Sequence, residues 1–376
     1  MSIDQFLEQE ISLKKLELYI IDLPQLITFK SAIGVRKSRR AMIVKWVDKD
    51  GYCGYGECSC RPDPFYSDEF LKGSTLMIQD FLFERIKKAK TYGAFIDTMK
   101  KIRGWNFTKA SLEFALNDLL LKKHGYDILS TIKLDKLEKV PVGISLGLQP
   151  NYKTLKKKVE ESIALGYSRL KFKINPETNP KDFKKIQQQY PDVYLSFDAN
   201  GSFYEKDFPV MEEFAKLKVM IEQPFPPSRL DIAKKARKKL SPMFVCLDES
   251  VKSMGDLKIT NTLNLINELN LKPGRVGGLY NSILMLEYCK KKNIPCWIGG
   301  MFETGIGRTA NLRVAQFLPN AQAHDLSPSH RYFAEDIIDN PIEMTKKGKV
   351  KMSELNYAHV NKKRLKKHTV SKIVIE

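Results

Sequence analysis

Five charged residues recur at nearly constant spacing in the middle of the sequence. They are Lys173, Asp198, Glu222, Asp248 and Lys272, and the intervals between them are 25, 24, 26 and 24 residues. Each interval is about the length of one strand, one helix and their connections. The spacing therefore predicts that these side chains stand at equivalent places in five successive strand–helix units.

The residue types indicate chemistry on a carbon acid. Clustered carboxylates repel one another unless a cation joins them, so Asp198, Glu222 and Asp248 predict a hard divalent ion, Mg²⁺ first and Mn²⁺ as a substitute. Such an ion and a nearby ammonium stabilise the enediolate that forms when a proton is removed next to a carboxylate. Lys173 can act as the base if its pKa falls, and the metal and Lys171 both act in that direction.

Short apolar runs rich in β-forming residues recur from residue 140 onwards, and helical patterns fill most of the gaps between them. The eight runs cover 140–147, 169–174, 193–199, 219–225, 243–249, 265–272, 295–300 and 321–326. Eight strands that alternate with helices predict an α/β fold, a parallel (β/α)₈ barrel of the TIM type. The alternative, an open doubly wound sheet, needs a glycine-rich phosphate loop after an early strand, and none occurs.

The barrel topology assigns positions to the charged residues. The third, fourth and fifth strands are neighbours and would bring the three carboxylates together on one side of the barrel mouth. The second and sixth strands lie four apart in a ring of eight, so Lys173 and Lys272 would reach a bound substrate from opposite faces. Active sites of such barrels lie at the carboxyl ends of the strands, where all five residues are expected.

The sequence outside the barrel region predicts an α+β domain that caps the barrel mouth. Alternating runs at 14–23 and 42–58 indicate antiparallel strands, and residues 48–51 supply a hairpin turn. Helical patterns follow at 68–89 and 107–124. We predict three segments: a cap over residues 1–125, a barrel over 126–339 and a C-terminal segment, 340–376, that returns to the cap.

Composition argues against several classes of protein. The net charge is +19, but basic runs such as Lys156–Lys158 and Lys290–Lys292 are short and dispersed, which disfavours a nucleic-acid partner. The charge is compatible with an anionic small-molecule substrate. No apolar stretch approaches the roughly 20 residues of a membrane-spanning helix and no signal peptide is visible, so we expect a cytoplasmic protein without a membrane partner. The sequence leaves the formation of a homo-oligomer open.

Six motifs resemble those of a known family: KFK, FDAN, IEQPF, LDES, LKPGRVGG and WIGGMFETGIGR. Together they resemble the muconate-lactonising branch of the enolase superfamily and, more narrowly, the o-succinylbenzoate synthase/N-acylamino acid racemase family. The run GYGECSCRPDPFYSDEF is similar to the substrate-facing cap loop of that family. The resemblance therefore covers most of the chain.

The resemblance implies a role for each charged residue. Lys173 would be the general base, Lys171 would lower its pKa, and Lys272 would act from the opposite face. In the synthase reaction, Lys173 takes the α-proton of 2-succinyl-6-hydroxy-2,4-cyclohexadiene-1-carboxylate and then assists loss of the hydroxyl group as water, giving o-succinylbenzoate for menaquinone biosynthesis. In the racemase reaction, both lysines exchange protons. The implied Mg²⁺ ligands are Asp198, Glu222 and Asp248.

Further positions are candidates for contacts around the site, each with a structural alternative such as a turn, a helix cap or buried packing. Asn200 and Glu249 would support the metal ligands. Ser145 and Tyr55 would contact the substrate, and Arg275 is compatible with racemase activity. Backbone N–H groups ahead of a helix that starts near residue 304 would hold a substrate carboxylate, at Gly299, Gly300 and Met301.

Three functions remain open from the sequence alone. Dehydration by an o-succinylbenzoate synthase is the leading interpretation, and racemisation of N-succinyl or N-acylamino acids is the alternative on the same fold. Dipeptide epimerases of this branch tend to have Asp-x-Asp in the eighth strand, and the run at 321–326 does not. A basic nucleic-acid-binding protein on an inert barrel would lack at least one catalytic residue, and none of those expected is missing.

Overall fold

The computed structural model describes residues 1–31, 34–240, 242–353 and 355–376. The elements up to residue 125 are α1 (Ile3–Leu7), β1 (Lys15–Ser31), β2 (Gly34–Val47), β3 (Cys53–Cys58), α2 (Leu71–Leu76), α3 (Phe83–Lys87), α4 (Tyr92–Lys101) and α5 (Asn106–His124). A π-helical segment, Met77–Leu82, joins α2 to α3, so one continuous helical stretch occupies most of the predicted range 68–89.

Strands and helices then alternate along the chain. They are β4 (Lys139–Pro141), β5 (Ile144–Leu146), α6 (Tyr152–Ala164), β6 (Arg169–Lys173), α7 (Pro180–Gln189), β7 (Tyr194–Asp198), α8 (Phe208–Ala215), β8 (Met220–Glu222), α9 (Leu230–Lys239), β9 (Phe244–Leu247), α10 (Met254–Thr262), β10 (Glu268–Leu271), α11 (Leu279–Lys292), β11 (Cys296–Ile298) and α12 (Gly305–Ala315). The last elements are β12 (Lys349–Lys351), α13 (Lys362–His368) and β13 (Thr369–Ile375), and short 3₁₀ turns occur at Ile128–Thr131, Glu205–Asp207 and Ser329–Arg331.

The cap is built on an antiparallel sheet with the strand order β13-β1-β2-β3. The C-terminal strand β13 pairs with β1 from Leu16 opposite Ile375 to Ile21 opposite Thr369. Apolar side chains alternate along the start of β1, as at Leu16 and Leu18, and are fully buried because one face of the sheet packs on the helices of the cap. The end of the chain therefore returns to the cap, as predicted, whereas the exact domain limits stay a prediction.

The barrel sheet contains seven parallel strands, β5 to β11, in chain order within the described residues. Strand residues such as Leu170, Phe172 and Phe197 are fully buried, because the outer face of a parallel barrel is covered by helices and its interior is filled. The first predicted run, 140–147, divides into β4, which pairs with β12, and β5, which begins the barrel.

The eighth run, 321–326, forms no regular strand in the described chain but still closes the ring. His324 makes a parallel bridge to Val142, just before β5. On the other side, the N–H of Asp325 donates to the carbonyl oxygen of Ile298 in β11 at 2.9 Å. The predicted barrel with a cap is confirmed, with its eighth strand reduced to a single bridge.

Basic residues occupy the last turns of three long helices. Cations are stabilising there, because unpaired carbonyl groups give a helix a partial negative charge at its carboxyl end. Part of the +19 charge is therefore spread over separate helix ends. None of the described helices has both the length and the apolar composition needed to cross a membrane. The basic ends are Lys122–His124 in α5, Arg237–Lys239 in α9 and Lys290–Lys292 in α11.

The cap strand β3 lies directly against the backbone of α5. A Cβ added at Gly56 would be 2.1 Å from the carbonyl oxygen of Ser111, and one added at Gly54 would be 2.1 Å from that of Ala115. Both contacts involve helix backbone, which cannot move aside as a flexible side chain can. The two glycines are therefore required by the close approach of strand and helix.

We expect Gly56→Ala to destabilise the chain by about 1–3 kcal/mol, because the added methyl group has no space against α5. The midpoint of thermal unfolding measures this change. Gly255→Ala in α10 is the control, since the nearest atom to its added Cβ is Ser253 Oγ at 3.5 Å, an ordinary contact. The packing argument fails if the two variants unfold at the same temperature.

Candidate active site

The parallel register brings the five charged residues to one end of the barrel. Lys173 in β6 pairs with Asp198 in β7, which pairs with Glu222 in β8. Asp248 directly follows β9, and Lys272 directly follows β10. All five therefore lie at the carboxyl ends of successive strands. β6 and β10 are separated by three strands, so the two lysines stand on opposed walls.

Two ammonium groups lie over the carboxylates on one wall. Lys171 Nζ is 2.6 Å from Glu222 Oε2 and 2.6 Å from Asp325 Oδ2, and Lys173 Nζ is 2.6 Å from Asp198 Oδ2. Burial lowers the pKa of Lys171, but the charges of Asp325, Glu222 and Asp198 outweigh burial and raise it above the ordinary value. Lys171 is therefore a fixed cation beside Lys173.

Lys272 stands on the opposite wall and contacts both domains. Its Nζ donates to Asp248 Oδ2 at 2.8 Å and to the hydroxyl oxygen of Tyr66, a cap residue, at 3.0 Å. Burial lowers the pKa of Lys272, but Tyr66 and Glu249 raise it further than burial lowers it. The cap thus takes part in holding one of the two lysines.

Arg275 lies behind Lys272 rather than in the cavity. Its guanidinium contacts Asp248, and its Nε donates to the carbonyl oxygen of Val251 at 3.1 Å. Arg275 is almost fully buried, and it is a further cationic partner of the Asp248 carboxylate. The structure therefore gives Arg275 a supporting position beside Asp248 and Lys272.

Asn200 and Glu249 form a second layer around Lys173. Asn200 Oδ1 accepts a hydrogen bond from Lys173 Nζ, and Asn200 Nδ2 donates to Glu249 Oε1 at 3.0 Å. Burial raises the pKa of Glu249, and its other oxygen, Oε2, has no partner among the described residues. Asn200 therefore orients Lys173, and Glu249 orients Asn200.

The carboxylates Asp198, Glu222 and Asp248 are the donor set predicted for Mg²⁺. All three are buried, and oxygen donors of this type suit a hard divalent cation. In the present arrangement each faces an ammonium or guanidinium group, and the described residues include no group of three or more His, Cys, Asp or Glu side chains set for a metal ion. The donor chemistry fits Mg²⁺, and a bound ion would take the place of these lysine contacts.

The backbone before α12 lies at the cavity, but most of its N–H groups already have partners. Gly300 and Met301 line the cavity. The N–H of Met301 donates to Glu303, the N–H of Thr304 donates to Glu57 of the cap, and the same cap carboxylate accepts from Gly307. The N–H of Gly299 also has a partner, because it donates to the carbonyl oxygen of Leu271 at 2.9 Å. Side-chain carboxylates thus occupy the positive end of the helix. Binding of a substrate carboxylate by the segment ahead of it stays a prediction.

Gly299 and Ser145 lie close to the charged residues. A Cβ at Gly299 would be 2.1 Å from Asn270 Oδ1 and 2.8 Å from Lys272 Cε. Glycine is therefore required here, because any side chain would displace those of Asn270 and Lys272. Ser145 lines the cavity and donates to Asp325 Oδ2 at 2.7 Å. Gly299 therefore makes room for one lysine, while Ser145 holds the carboxylate that faces Lys171.

Tyr55 does not line the cavity. Its N–H donates to Asp118 in α5 at 2.7 Å, and Lys122 Nζ lies 5.3 Å from the centre of its ring. Tyr55 is buried within the cap, on the face of β3 opposite to Gly54 and Gly56. Tyr55 is therefore packed away from this cavity, and its expected substrate contact stays a prediction.

Asp325 is a site residue that the spacing could have indicated. It follows Lys272 by 53 residues, about two strand–helix units, and is the last residue but one of the eighth run. Burial raises its pKa, but the charges of Lys171 and Arg169 outweigh burial and hold the pKa well below the ordinary range. Asp325 is therefore an ionised partner that keeps Lys171 charged.

The cavity at the barrel mouth is strongly cationic. Its wall includes six cationic side chains but only two carboxylates, Asp198 and Asp325. Of the two cap arginines among the six, Arg61 lies in the run that resembles the family's cap loop, whereas no local pattern marks Arg39 in β2. The six cations are Arg39, Arg61, Lys171, Lys173, Lys272 and Arg308.

Comparison with known families agrees with this geometry. Residues 154–355 match the family described as enolase C-terminal domain-like. A solved structure of an enolase superfamily member from Listeria innocua superposes with a TM-score of 0.91 at 31% identity, covering 97% of this chain and 99% of that one. Fold, site and family match together define an enzyme of the enolase superfamily, whose members typically use a divalent metal.

Two curated relatives narrow the assignment. An o-succinylbenzoate synthase of Listeria innocua is 32% identical over 362 residues, covering 95% of this chain and 96% of the relative. An N-succinylamino acid racemase of Thermus thermophilus is 30% identical over 334 residues, covering 87% and 89%. The chain therefore belongs to the o-succinylbenzoate synthase/N-acylamino acid racemase family.

The carboxylate of Glu57 joins the cap to the barrel and predicts a dependence of stability on pH. Burial raises its pKa to about 7 in the folded chain, from an ordinary value of 4.5. Between these two values the unfolded chain loses the proton and the folded chain keeps it, so the folded state loses stability as the pH rises. The loss begins near pH 4.5 and is complete above about pH 7.

We expect Glu57→Gln to remove this dependence, because the amide does not ionise and its oxygen can still accept hydrogen bonds from α12. The thermal midpoints of the natural chain and the variant should be compared at pH 5, 6, 7 and 8. The midpoint of the natural chain should fall relative to that of the variant over this range. Parallel curves would contradict the proposed titration of Glu57.

Proposed function

We propose that this chain is a Mg²⁺-dependent o-succinylbenzoate synthase of menaquinone biosynthesis. Its reaction would be the syn-dehydration of 2-succinyl-6-hydroxy-2,4-cyclohexadiene-1-carboxylate to o-succinylbenzoate. The observation that carries the proposal is the position of Lys173 and Lys272, which line one cavity from opposed walls beside buried carboxylates. The Listeria innocua relative, which bears the synthase name and matches over almost its whole length, supports the choice of substrate.

The reaction begins with Lys173 in its neutral form. Its Nζ accepts the α-proton of the substrate, and the electron pair of the broken C–H bond enters an enediolate. Lys171, held by Asp325 and Glu222, keeps its positive charge beside the reacting groups. Asp198, Glu222 and Asp248, which directly follows β9, would hold Mg²⁺. When bound, the ion would stabilise negative charge on the substrate carboxylate.

The second half of the reaction uses the same lysine. The Lys173 ammonium donates its proton to the hydroxyl group as the C–O bond breaks, the electron pair leaves with the oxygen, and water and an aromatic ring result. Proton removal and hydroxyl loss occur on one face, as a syn-elimination requires. Lys272 approaches from the other face, where its ammonium, hydrogen-bonded to Tyr66, stabilises negative charge.

The same geometry favours a second activity, the racemisation of N-succinyl or N-acylamino acids. A base on each face of the α-carbon allows one lysine to remove the proton and the other to return one. The position of Lys272, which lines the cavity opposite Lys173, supports this role. The Thermus thermophilus relative is named as an N-succinylamino acid racemase.

Turnover of both substrates tests the proposal. We expect Mg²⁺-dependent formation of o-succinylbenzoate with a kcat/KM above that for exchange of the α-proton of an N-succinylamino acid in D₂O, followed by NMR. Removal of the metal with a chelator should abolish both reactions, and Mg²⁺ or Mn²⁺ should restore them. Without a divalent ion, the negative charge of the enediolate lacks the stabilisation that the reaction needs. A kcat/KM for the amino acid far above that for the cyclohexadiene would reverse the choice of function.

Substitution of the two lysines tests their separate roles. Lys173→Ala should lower the kcat of dehydration by about 10²–10⁴-fold, the usual worth of a general acid–base group, while Mg²⁺ binding persists. Lys272→Ala should lower dehydration less but abolish racemisation. Lys185→Ala, on the exposed face of α7, is the control and should leave both reactions unchanged. Undiminished dehydration by Lys173→Ala would refute its role as the base.

A further inference from the structure

The cap side of the cavity contains a buried guanidinium, that of Arg39 in β2. Arg39 is only 3% exposed and lines the cavity. Its Nη2 donates to the carbonyl oxygen of Ser59 at 2.7 Å. Its Nε is buried and has no acceptor among the described residues. Arg39 therefore retains an unused donor on a buried cation.

Five of the six cations that line the cavity have a carboxylate within 4 Å. The pairs are Lys171 with Glu222 and Asp325, Lys173 with Asp198, Lys272 with Asp248, Arg61 with Asp63, and Arg308 with Glu303. Arg39 has no such partner in the described part of the chain. A buried cation without a counter-ion costs several kcal/mol, so this position favours an anion from outside the chain.

Glu57 does not neutralise Arg39. The charge of Arg39 lowers the pKa of Glu57, which shows that the two groups influence each other. Both Glu57 oxygens, however, accept hydrogen bonds at the start of α12, from Thr304 and Gly307. The Glu57 carboxylate is thus committed to the helix, and no ion pair between it and Arg39 is formed.

Gln25 lies beside Arg39 at the same wall. Leu23 pairs with Arg39 across the β1–β2 ladder, and Gln25 follows two residues later and lines the cavity. The Gln25 Oε1 atom is buried without a partner among the described residues. Rotation of the amide by half a turn would present its NH₂ group instead. Arg39 and Gln25 therefore line the same cavity, each with a polar group that can donate to an anion.

We propose that Arg39, assisted by Gln25, binds the second carboxylate of the substrate, the one at the end of the succinyl chain. The inference rests on the proposed function and deepens it. The names of both curated relatives contain the succinyl group, so either activity would involve a dicarboxylate. The first carboxylate lies at the barrel wall, with the lysines, while Arg39 belongs to the cap.

Arg61 is the other cap cation at the cavity, and it fits this role less well. Its Nε donates to Asp63 Oδ1 at 2.7 Å and its Nη2 to Asp63 Oδ2 at 3.2 Å. This bidentate ion pair already uses two of the Arg61 N–H groups that could bind a substrate carboxylate. Arg39 is therefore the residue that distinguishes a succinyl substrate from a neutral acyl one.

Calorimetric titration of the Mg²⁺-loaded enzyme with two matched ligands tests this role. o-Succinylbenzoate carries the tail carboxylate, and 2-butanoylbenzoate carries a methyl group in its place. The natural chain should bind o-succinylbenzoate about 10–100-fold more tightly, the worth of hydrogen bonds to a charged group. Arg39→Met should bind both ligands equally, with the affinity for 2-butanoylbenzoate unchanged, and Arg39→Lys should keep part of the preference.

Arg40→Met is the matched control, because Arg40 is the next residue of β2, is exposed and pairs with Asp22. It should keep the full preference for o-succinylbenzoate.

If Arg39→Met does not fold, Arg39→Gln provides the same comparison. The role of Arg39 is overturned if Arg39→Met still prefers o-succinylbenzoate, or if it binds both ligands more weakly by the same factor. Either result leaves the proposed function standing as long as the natural chain dehydrates the cyclohexadiene. A natural chain that neither dehydrates the cyclohexadiene nor binds o-succinylbenzoate would overturn the proposed function, and the inference with it.

Discussion

Neutralisation of buried charge at the barrel mouth is the constraint on which the rest of the structure depends. The strand register fixes Asp198 beside Glu222, so their carboxylates cannot spread apart. Buried carboxylates this close remain ionised only beside cations. The lysines that we propose for proton transfer are therefore also counter-ions of the folded chain. The described cations in contact with Asp198, Glu222 or the next carboxylate, Asp248, are Lys171, Lys173, Lys272 and Arg275.

The same constraint explains how far the sequence predicts the site. In a parallel barrel each strand–helix unit advances the chain by one strand, so residues at equal intervals become neighbours at one end. The adjacency of Lys173, Asp198 and Glu222 follows from the intervals alone. Asp325 obeys the same rule, although the eighth strand is reduced to one bridge and the local pattern there is weak.

No local sequence pattern predicts which cap residue contacts which barrel residue. Tyr66 contacts Lys272 across 206 residues, and Glu57 contacts Thr304 across 247 residues. The sequence predicts a helix that begins near residue 304, and α12 begins at Gly305. No sequence pattern indicates which anion binds at the amino-terminal end of this helix. A cap carboxylate occupies it here. Such contacts depend on how two domains pack, which is decided by the whole of both surfaces.

These long-range contacts link the cap side of the cavity, where Arg39 lies, to the barrel side, where the lysines lie. The N–H groups of α12 hold Glu57 at the end of β3, and the carbonyl oxygen of Ser59, two residues later, holds the guanidinium of Arg39. One short segment therefore sets the position of the cap cation relative to the barrel lysines. Because the proposed roles of the barrel lysines suit dehydration and racemisation alike, we expect discrimination between substrates to come from the cap. A shift of this segment would move the proposed tail contact while leaving the proton-transfer groups in place.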